Sequence, residues 1–368
     1  MTANHDWICL SLLPGLGPVG ISKLIGHFGG AADVLQADSR KLAEVEGMRS
    51  GQLLGFKSLD TYKRLAEEQV ERMHDAGGRI LSWDDPEYPG MLRQIPDPPP
   101  VLYTLGDMRL LGSSSVAMVG ARSATGYGRR VAYSLAKALA ENSVTVLSGL
   151  AAGIDSESHS GALKGGGGTI AVLGCGVDVV YPRQNRSLYE QIRADGLLVS
   201  EYPLGTQPEG FRFPARNRII AGLCLGVVVV EAAKKSGSLI TAQLALDFGR
   251  EIFAVPGQVD SFKSEGTHWL LRQGAQLVVS ADDILQELKL VSVCHAVKNE
   301  SAPANKFSAL DPDAVVLLNQ LEPYPLLREE VSDKSGFTPA RLSELFLFLE
   351  LEGHIEMLPG DMVRRIST

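Results

Sequence analysis

From Val116 onward, seven short and largely β-branched runs alternate with stretches of helical composition, and this alternation constrains the fold of the 368-residue chain more than any other feature. The runs are Val116–Val119, Val144–Leu147, Thr169–Leu173, Leu197–Val199, Val227–Val230, Ile252–Val255 and Gln276–Val279. Continuous apolar runs of this length suit strands covered on both faces, as in a parallel sheet. Between them, Gly128–Glu141, Asp155–Lys164, Asn185–Asp195, Arg216–Leu223, Leu239–Phe248 and Thr267–Gln273 read as crossover helices. The expectation is an α/β domain over 111–290, a Rossmann-like, doubly wound parallel sheet.

The flanks have different patterns. Residues 1–75 are helical, and Leu13-Pro14-Gly15-Leu16-Gly17 precedes an amphipathic run to Phe28, as in a helix-hairpin-helix or SAM-like domain. Val45-Glu46-Gly47-Met48 resembles a degenerate second hairpin. Such glycines either present backbone N–H groups to a phosphate or merely shape a helical turn, and the sequence leaves both open. Residues 76–110, with Asp84–Pro89 and Pro98-Pro99-Pro100, read as a turn-rich connecting segment. Residues 291–308 read as a linker, since Val293–Asn305 shows no periodicity. Over 309–368, helices at Asp313–Leu321, Leu326–Val331 and Pro339–Glu352 precede a hairpin around Pro359-Gly360-Asp361, which is a winged-helix order. Its third helix sets Arg341 against Glu344, Glu350 and Glu352. Phosphate repels such a helix, so a protein contact or a structural role is favoured over DNA.

Composition narrows the class. A hydrophobic fraction of 45% with 21% charged residues is globular. The longest apolar stretch, Ile219 to Val230, falls short of the roughly 20 residues that span a bilayer, and no basic segment precedes Leu10–Leu13, so a cytoplasmic protein without a membrane helix is expected. Cys9, Cys175, Cys224 and Cys294 form no C-x-x-C pair, against a zinc site or a disulfide framework. The net charge of −8 divides into −4 over 1–110, +1 over 111–290 and −5 over 291–368, so any anion-binding surface belongs to the middle.

The motifs there exclude the common cofactors. The turn after the first run, Gly120 to Gly128, lacks the G-x-G-x-x-G spacing of dinucleotide sites, and no G-x-x-x-x-G-K-[ST] occurs. No G-x-S-x-G elbow surrounds Ser148, and Asp155 with His159 at i, i+4 lacks further metal ligands. Neither catalysis, nor a cofactor, nor a metal is expected. Three anion-holding elements remain. Arg122 follows Gly120 at the end of the first run; Ser148-Gly149 and Gly153 follow the second; Ser236-Gly237-Ser238 opens a helix with free N–H groups. Phe211, Arg212, Phe213, Arg216, Asn217 and Arg218 add three arginines and two aromatics without an acid. Phosphates want charge and unstacked bases want ring faces, which suits a single strand better than a duplex. Alone, each motif is matched by a structural role: a strand-end arginine pairs on the surface, and glycines satisfy sharp turns. Together they lie at the C-terminal ends of strands in one expected sheet, where they can converge on one cleft. Gly165–Gly168 instead precedes a strand and reads as a flexible turn.

Gly120-Ala121-Arg122, Ser148-Gly149-Leu150-Ala151-Ala152-Gly153-Ile154-Asp155, Gly176 to Pro182, Phe213 to Gly222, Ser236 to Ala242 and Val255-Pro256-Gly257 strongly resemble the bacterial DNA-processing protein A (DprA/Smf) family. The resemblance covers the whole sheet domain, and longer members also share the helical front and the winged-helix tail. It implies a non-enzymatic, dimeric protein of natural transformation that binds incoming single-stranded DNA and helps load the RecA recombinase. Carried over by motif, Arg122 would hold a phosphate, Arg212, Arg216, Asn217 and Arg218 would form a basic stretch, and Phe213 with Phe211 would meet bases. Gly120, Ser148, Gly149, Gly153, Ser236, Gly237, Ser238 and Thr241 fall in the matching turns. Two departures stand out: Ala121 where many members have Ser, and Gln207 near a position where some have Lys. The rival reading is a Rossmann-like nucleotide phosphoribohydrolase of the lysine-decarboxylase-like group, whose P-G-G-x-G-T-x-x-E motif this chain lacks.

Overall fold

The structure is a computed structural model that describes residues 3–290, 311–321 and 325–366, and it divides into two compact units, 1–291 and 292–368. The expected linker over 291–308 lies outside the described residues.

The front is helical: α1 (Ala3–Leu12), α2 (Pro18–Phe28), α3 (Ala31–Gln36), α4 (Ser39–Glu44) and α5 (Leu59–Asp75). Gly15, at φ +75°, turns the chain between α1 and α2, and Pro18 opens α2 where no N–H is needed. Trp7, Ile8, Leu10, Leu24, Val34 and Met73 bury in one cluster with Tyr103, Leu105, Leu173 and Leu198 of the neighbouring sheet. The helical front therefore shares a core with the sheet.

That sheet has nine strands: β1 (Arg79–Ser82), β2 (Val101–Gly106), β3 (Ser115–Val119), β4 (Thr145–Ser148), β5 (Thr169–Val172), β6 (Leu197–Ser200), β7 (Gly226–Val229), β8 (Glu251–Ala254) and β9 (Gln276–Leu277). Their order is β1-β2-β6-β5-β4-β3-β7-β8-β9; the pairs from β6 to β9 are parallel, and β1–β2 and β2–β6 are antiparallel. The short helix α6 (Gly90–Arg93) links β1 to β2. The crossovers are α7 (Gly126–Glu141), α8 (Ile154–Lys164), α9 (Arg186–Asp195), α10 (Arg212–Leu223), α11 (Gly237–Asp247) and α12 (Glu265–Arg272), with α13 (Ala281–Glu287) closing the unit. Every residue of β3 to β7 is buried, as two covered faces require.

Two expectations need correction. Residues 76–110 are more than a connection, because β1 and β2 extend the sheet; β2 buries all its residues but Gly106. Prolines 98–100 stand immediately before β2, and their turn signal hid a six-residue, mostly apolar strand. Gly165–Gly168 is a packing site as well as a turn: a Cβ on Gly167 would lie 2.6 Å from the Ala140 carbonyl oxygen, and one on Gly168 2.3 Å from Leu110.

The second unit comprises α14 (Pro312–Gln320), β10 (Leu326–Leu327), α15 (Arg328–Ser335), α16 (Pro339–Leu351), β11 (Ile355–Leu358) and β12 (Met362–Arg365), with sheet order β10-β12-β11. The helix expected from Leu326 starts at Arg328, because Leu326 and Leu327 pair with Val363 and Met362 of the wing. Leu317, Leu342, Leu345, Phe346, Leu349 and Val363 form its core. Arg341 on α16 is engaged by Asp311, Asp313 and Glu344. Among the described residues of the whole chain, no helix is long and apolar enough to cross a membrane.

Candidate nucleic-acid interface

The sheet positions a crevice by topology alone. β3 is flanked by β4 and β7; the chain leaves β3 through α7 towards β4, and leaves β7 through α11 towards β8. Connections that diverge from adjacent parallel strands leave an opening at their C-terminal ends, where ligands of such folds bind. A cleft of about 480 Å³ lies there, lined by Gly120, Arg122, Asp155, Tyr181, Phe213, Arg216, Asn217, Ser236, Gly237, Ser238 and Thr241 among others. A smaller cavity of about 240 Å³ adjoins it and shares Arg122, Tyr181, Phe213 and Arg216.

Arg122, from the turn after β3, is exposed, and its guanidinium stands 5.6 Å from the centre of the Phe213 ring. Phe213 in turn stacks on Tyr181, with centroids 5.3 Å apart and planes at 29°. No carboxylate pairs with Arg122 among the described residues, so its charge is available to a ligand. Arg216 has the opposite character. It is buried, and it donates to the carbonyls of Gly149, at 2.9 Å, and of Val172. Gly149 has no side chain because the Arg216 guanidinium occupies the place of its Cβ. Asp155 accepts from the N–H groups of Gly149 (3.1 Å) and Ala151 (3.3 Å). Burial pushes the Asp155 carboxyl up while Arg216 draws it back, and burial weakens the charge on Arg216 while Asp155 supports it. The two groups set a compensated charge pattern in the cleft floor, and Arg122 supplies the accessible positive charge above it.

On the third wall, Ser236 caps α11 by accepting from the Ser238 N–H at 3.3 Å. Gly237 is exposed at the first turn, where helical N–H groups have no intrahelical acceptor. Thr241 follows one turn later, buried against the cleft.

Several expected site residues serve the scaffold. The Ser148 hydroxyl is buried and donates to the Met118 carbonyl at 2.6 Å, tying β4 to β3. Gly153 adopts φ +83° with its Cα against the Ala121 and Arg122 carbonyls, so it holds the two turns together. Arg218 faces away from the cleft, bonded to Glu201 at 2.7 Å and Asp97 at 3.0 Å. Arg212 packs between Tyr202 and Phe211 and pairs with Glu209, and Phe211 is 68% exposed outside the cleft lining. Arg212, Arg216 and Arg218 are thus not one basic face. Arg216 and Arg218, two apart on α10, point to different sides of the helix, while Arg212, in its first turn, is drawn off by Tyr202, Phe211 and Glu209, and the sequence run conceals both facts. Sequence reasoning missed Tyr181 as a site residue. The signal was a lone tyrosine 32 residues before Phe213, which only the fold brings onto its ring.

Asp155 and His159 turn to different partners: the Asp155 carboxylate accepts from the Gly149 and Ala151 N–H groups, and His159 packs against β5. His159 Nδ1 meets the Thr169 hydroxyl at 2.7 Å, and burial and Arg216 push its imidazole down to about 3, which keeps it neutral. Among the described residues no group of three or more His, Cys, Asp or Glu side chains is arranged to hold a metal ion.

Residues 79–289 match the family described as DNA recombination-mediator protein A, and residues 300–361 match the DprA winged helix domain. The chain is 42% identical over 290 residues to Protein Smf of Synechocystis sp., covering 77% of this chain and 72% of that protein. The X-ray structure of DNA processing protein A from Streptococcus pneumoniae superposes with a TM-score of 0.69 at 38% identity, covering 78% of this chain and 98% of the other. The DNA processing protein A of Helicobacter pylori gives 0.53 at 31% identity, covering 58% and 97%. With more than half its length matched and the sheet, cleft and winged helix all present, the chain belongs to the DNA recombination-mediator protein A family.

Proposed function

We propose that the cleft binds single-stranded DNA without catalysing a reaction or requiring a cofactor, and that the protein acts in the cytoplasm during natural transformation as a homodimer that helps load the RecA recombinase. The observation that carries the DNA reading is the unpaired Arg122 standing over Phe213, which itself stacks on Tyr181 beside the open first turn of α11. Charge for a phosphate and ring faces for unstacked bases lie in one crevice. The Helicobacter pylori relative is described for its single-stranded DNA binding mode, which supports the same reading here. In this reading Arg122 takes a phosphate, Phe213 and Tyr181 take bases, Gly120, Asn217, Ser236, Gly237, Ser238 and Thr241 shape the cleft, and Gly149, Gly153 and Arg216 hold its floor. The winged helix, whose Arg341 is consumed by carboxylates, makes a protein contact. The helical front, the sheet domain and the winged helix remain the functional divisions, with the first two sharing one core.

Fluorescence anisotropy of labelled oligothymidine and its duplex, over a salt series, tests the reading. The single strand binds preferentially, affinity falls with salt, and Arg122→Ala weakens binding about tenfold, the worth of one charge-assisted contact. The logarithmic salt slope becomes shallower by about 0.7. Equal binding by Arg122→Ala, or release of a base from mononucleotides with no strand affinity, overturns it.

A further inference from the structure

The turn that carries Arg122 is held from outside by a single buried carboxylate. Glu231 follows β7 and is 5% exposed. Its two oxygens grip one residue: Oε2 accepts from the Thr125 N–H at 3.0 Å, and Oε1 accepts from the Thr125 hydroxyl. That hydroxyl also accepts from the Gly128 N–H at 3.0 Å, which caps α7. Gly128 leaves the room this needs, since a Cβ there would lie 2.4 Å from the Glu231 carboxyl carbon. At the other end of the turn, a Cβ on Gly120 would lie 3.0 Å from the Glu231 carbonyl oxygen. The main chain and the side chain of Glu231 therefore bracket Gly120 to Gly128, with Arg122 between. Lys263 adds a bond to the Ser123 carbonyl.

A negative charge beside an anion-binding cleft is unfavourable for binding in itself. A carboxylate retained there, buried and fully engaged with one loop residue, has a role that outweighs this repulsion. We propose that Glu231 is a positioning residue for nucleic-acid binding: through Thr125 it fixes the β3–α7 turn and thereby the place of the Arg122 guanidinium over Phe213. This rests on the reading of the cleft as a strand-binding site with Arg122 as its phosphate holder. Ordering the turn before binding removes its entropic cost from the association step, which is how a group that never touches the ligand alters affinity.

The sign of the effect separates positioning from simple charge. Glu231→Gln keeps the shape but removes the charge and one of the two acceptors. If Glu231 acted only through its field, the variant would bind oligothymidine more tightly; as a positioning residue, it binds about fivefold more weakly, because a charge-assisted bond that held the turn is lost. Thr125→Val, which removes the hydroxyl and no charge, weakens binding to a similar extent, and Thr125→Ser restores it. The double variant Glu231→Gln/Thr125→Val is no weaker than the worse single, because both changes cut one connection. The salt slope of each weakened variant moves towards that of Arg122→Ala. Anisotropy on the full chain reads all of these, with thermal melting alongside; if Glu231→Gln unfolds, Thr125→Val and Thr125→Ser carry the comparison. Unchanged or tighter binding by a folded Glu231→Gln, or additive losses in the double variant, overturns the proposal. Unchanged binding by Arg122→Ala overturns the cleft reading instead, so the two failures are distinguishable.

Discussion

Substituting Arg218 is expected to unfold the protein before it disturbs DNA binding. Its guanidinium is buried between two carboxylates: Nη2 lies 2.7 Å from Glu201 Oε2, and Nε lies 3.0 Å from Asp97 Oδ2. The side chains of Arg218 and Glu201 are 9% and 12% exposed, whereas Asp97 is 38% exposed and can return to water. Burial pushes the Glu201 carboxyl up, and Arg218 draws it back; without Arg218 that carboxylate stays desolvated and unpaired. Breaking such a buried pair from one side costs about 3–5 kcal/mol. At about 2–4 °C per kcal/mol for a large unit, Arg218→Met melts about 10 °C below the wild type. Removing both charges costs far less than removing one, so Arg218→Met/Glu201→Gln recovers most of the loss. Urea or thermal denaturation measures the stability, and anisotropy with oligothymidine at about 15 °C, below the melting range of such domains, measures affinity within about twofold of the wild type. A variant that melts like the wild type but loses the single strand would refute the assignment of Arg218 to the scaffold.

Two further outcomes follow from the site's geometry. Tyr181→Ala removes the ring on which Phe213 stacks, and anisotropy should show a loss of about 1–3 kcal/mol of strand affinity, the worth of one base–aromatic contact, with melting unchanged; unaltered affinity would take Tyr181 out of the site. His159 is buried neutral with its pKa pushed down to about 3, so the unfolded chain binds the extra proton between that value and about 6.5. Stability is therefore fully present above about pH 6.5 and is lost as pH falls through this window, by about 2 kcal/mol at pH 5. Urea titrations of His159→Leu should lack that component, and an identical pH dependence in both proteins would show that other groups carry it.

How far the chain could be read depends on the range of the interaction involved. Strand identity rests on burial, and burial is written locally: the runs from Val116 to Val255 are apolar because both faces of those strands are covered, and each lies within a residue or two of its expected place. β1 and β2 escaped notice because they are antiparallel additions, β2 follows directly on prolines 98–100, and β6, the strand to which β2 joins the sheet, is about 100 residues further along the chain. The wing shows the same limit, where Leu326 is a strand residue only because Val363 lies opposite. In the cleft, the turns that carry Arg122, Gly149 and Ser236 were legible because strand ends in this topology converge by necessity.

Which arginine remains free was not legible. Arg122, Arg212, Arg216 and Arg218 are identical in composition, and their charges are assigned by neighbours distant in sequence: Phe213 for Arg122, the Gly149 and Val172 carbonyls for Arg216, Glu201 and Asp97 for Arg218. The sequence by itself determined the parallel strands of the sheet, their crossover helices, the winged-helix order and the crevice. Tertiary structure alone decided which charges are spent inside the protein and which face the ligand, because a guanidinium's availability depends on the carboxylates, carbonyls and rings within a few ångströms of it.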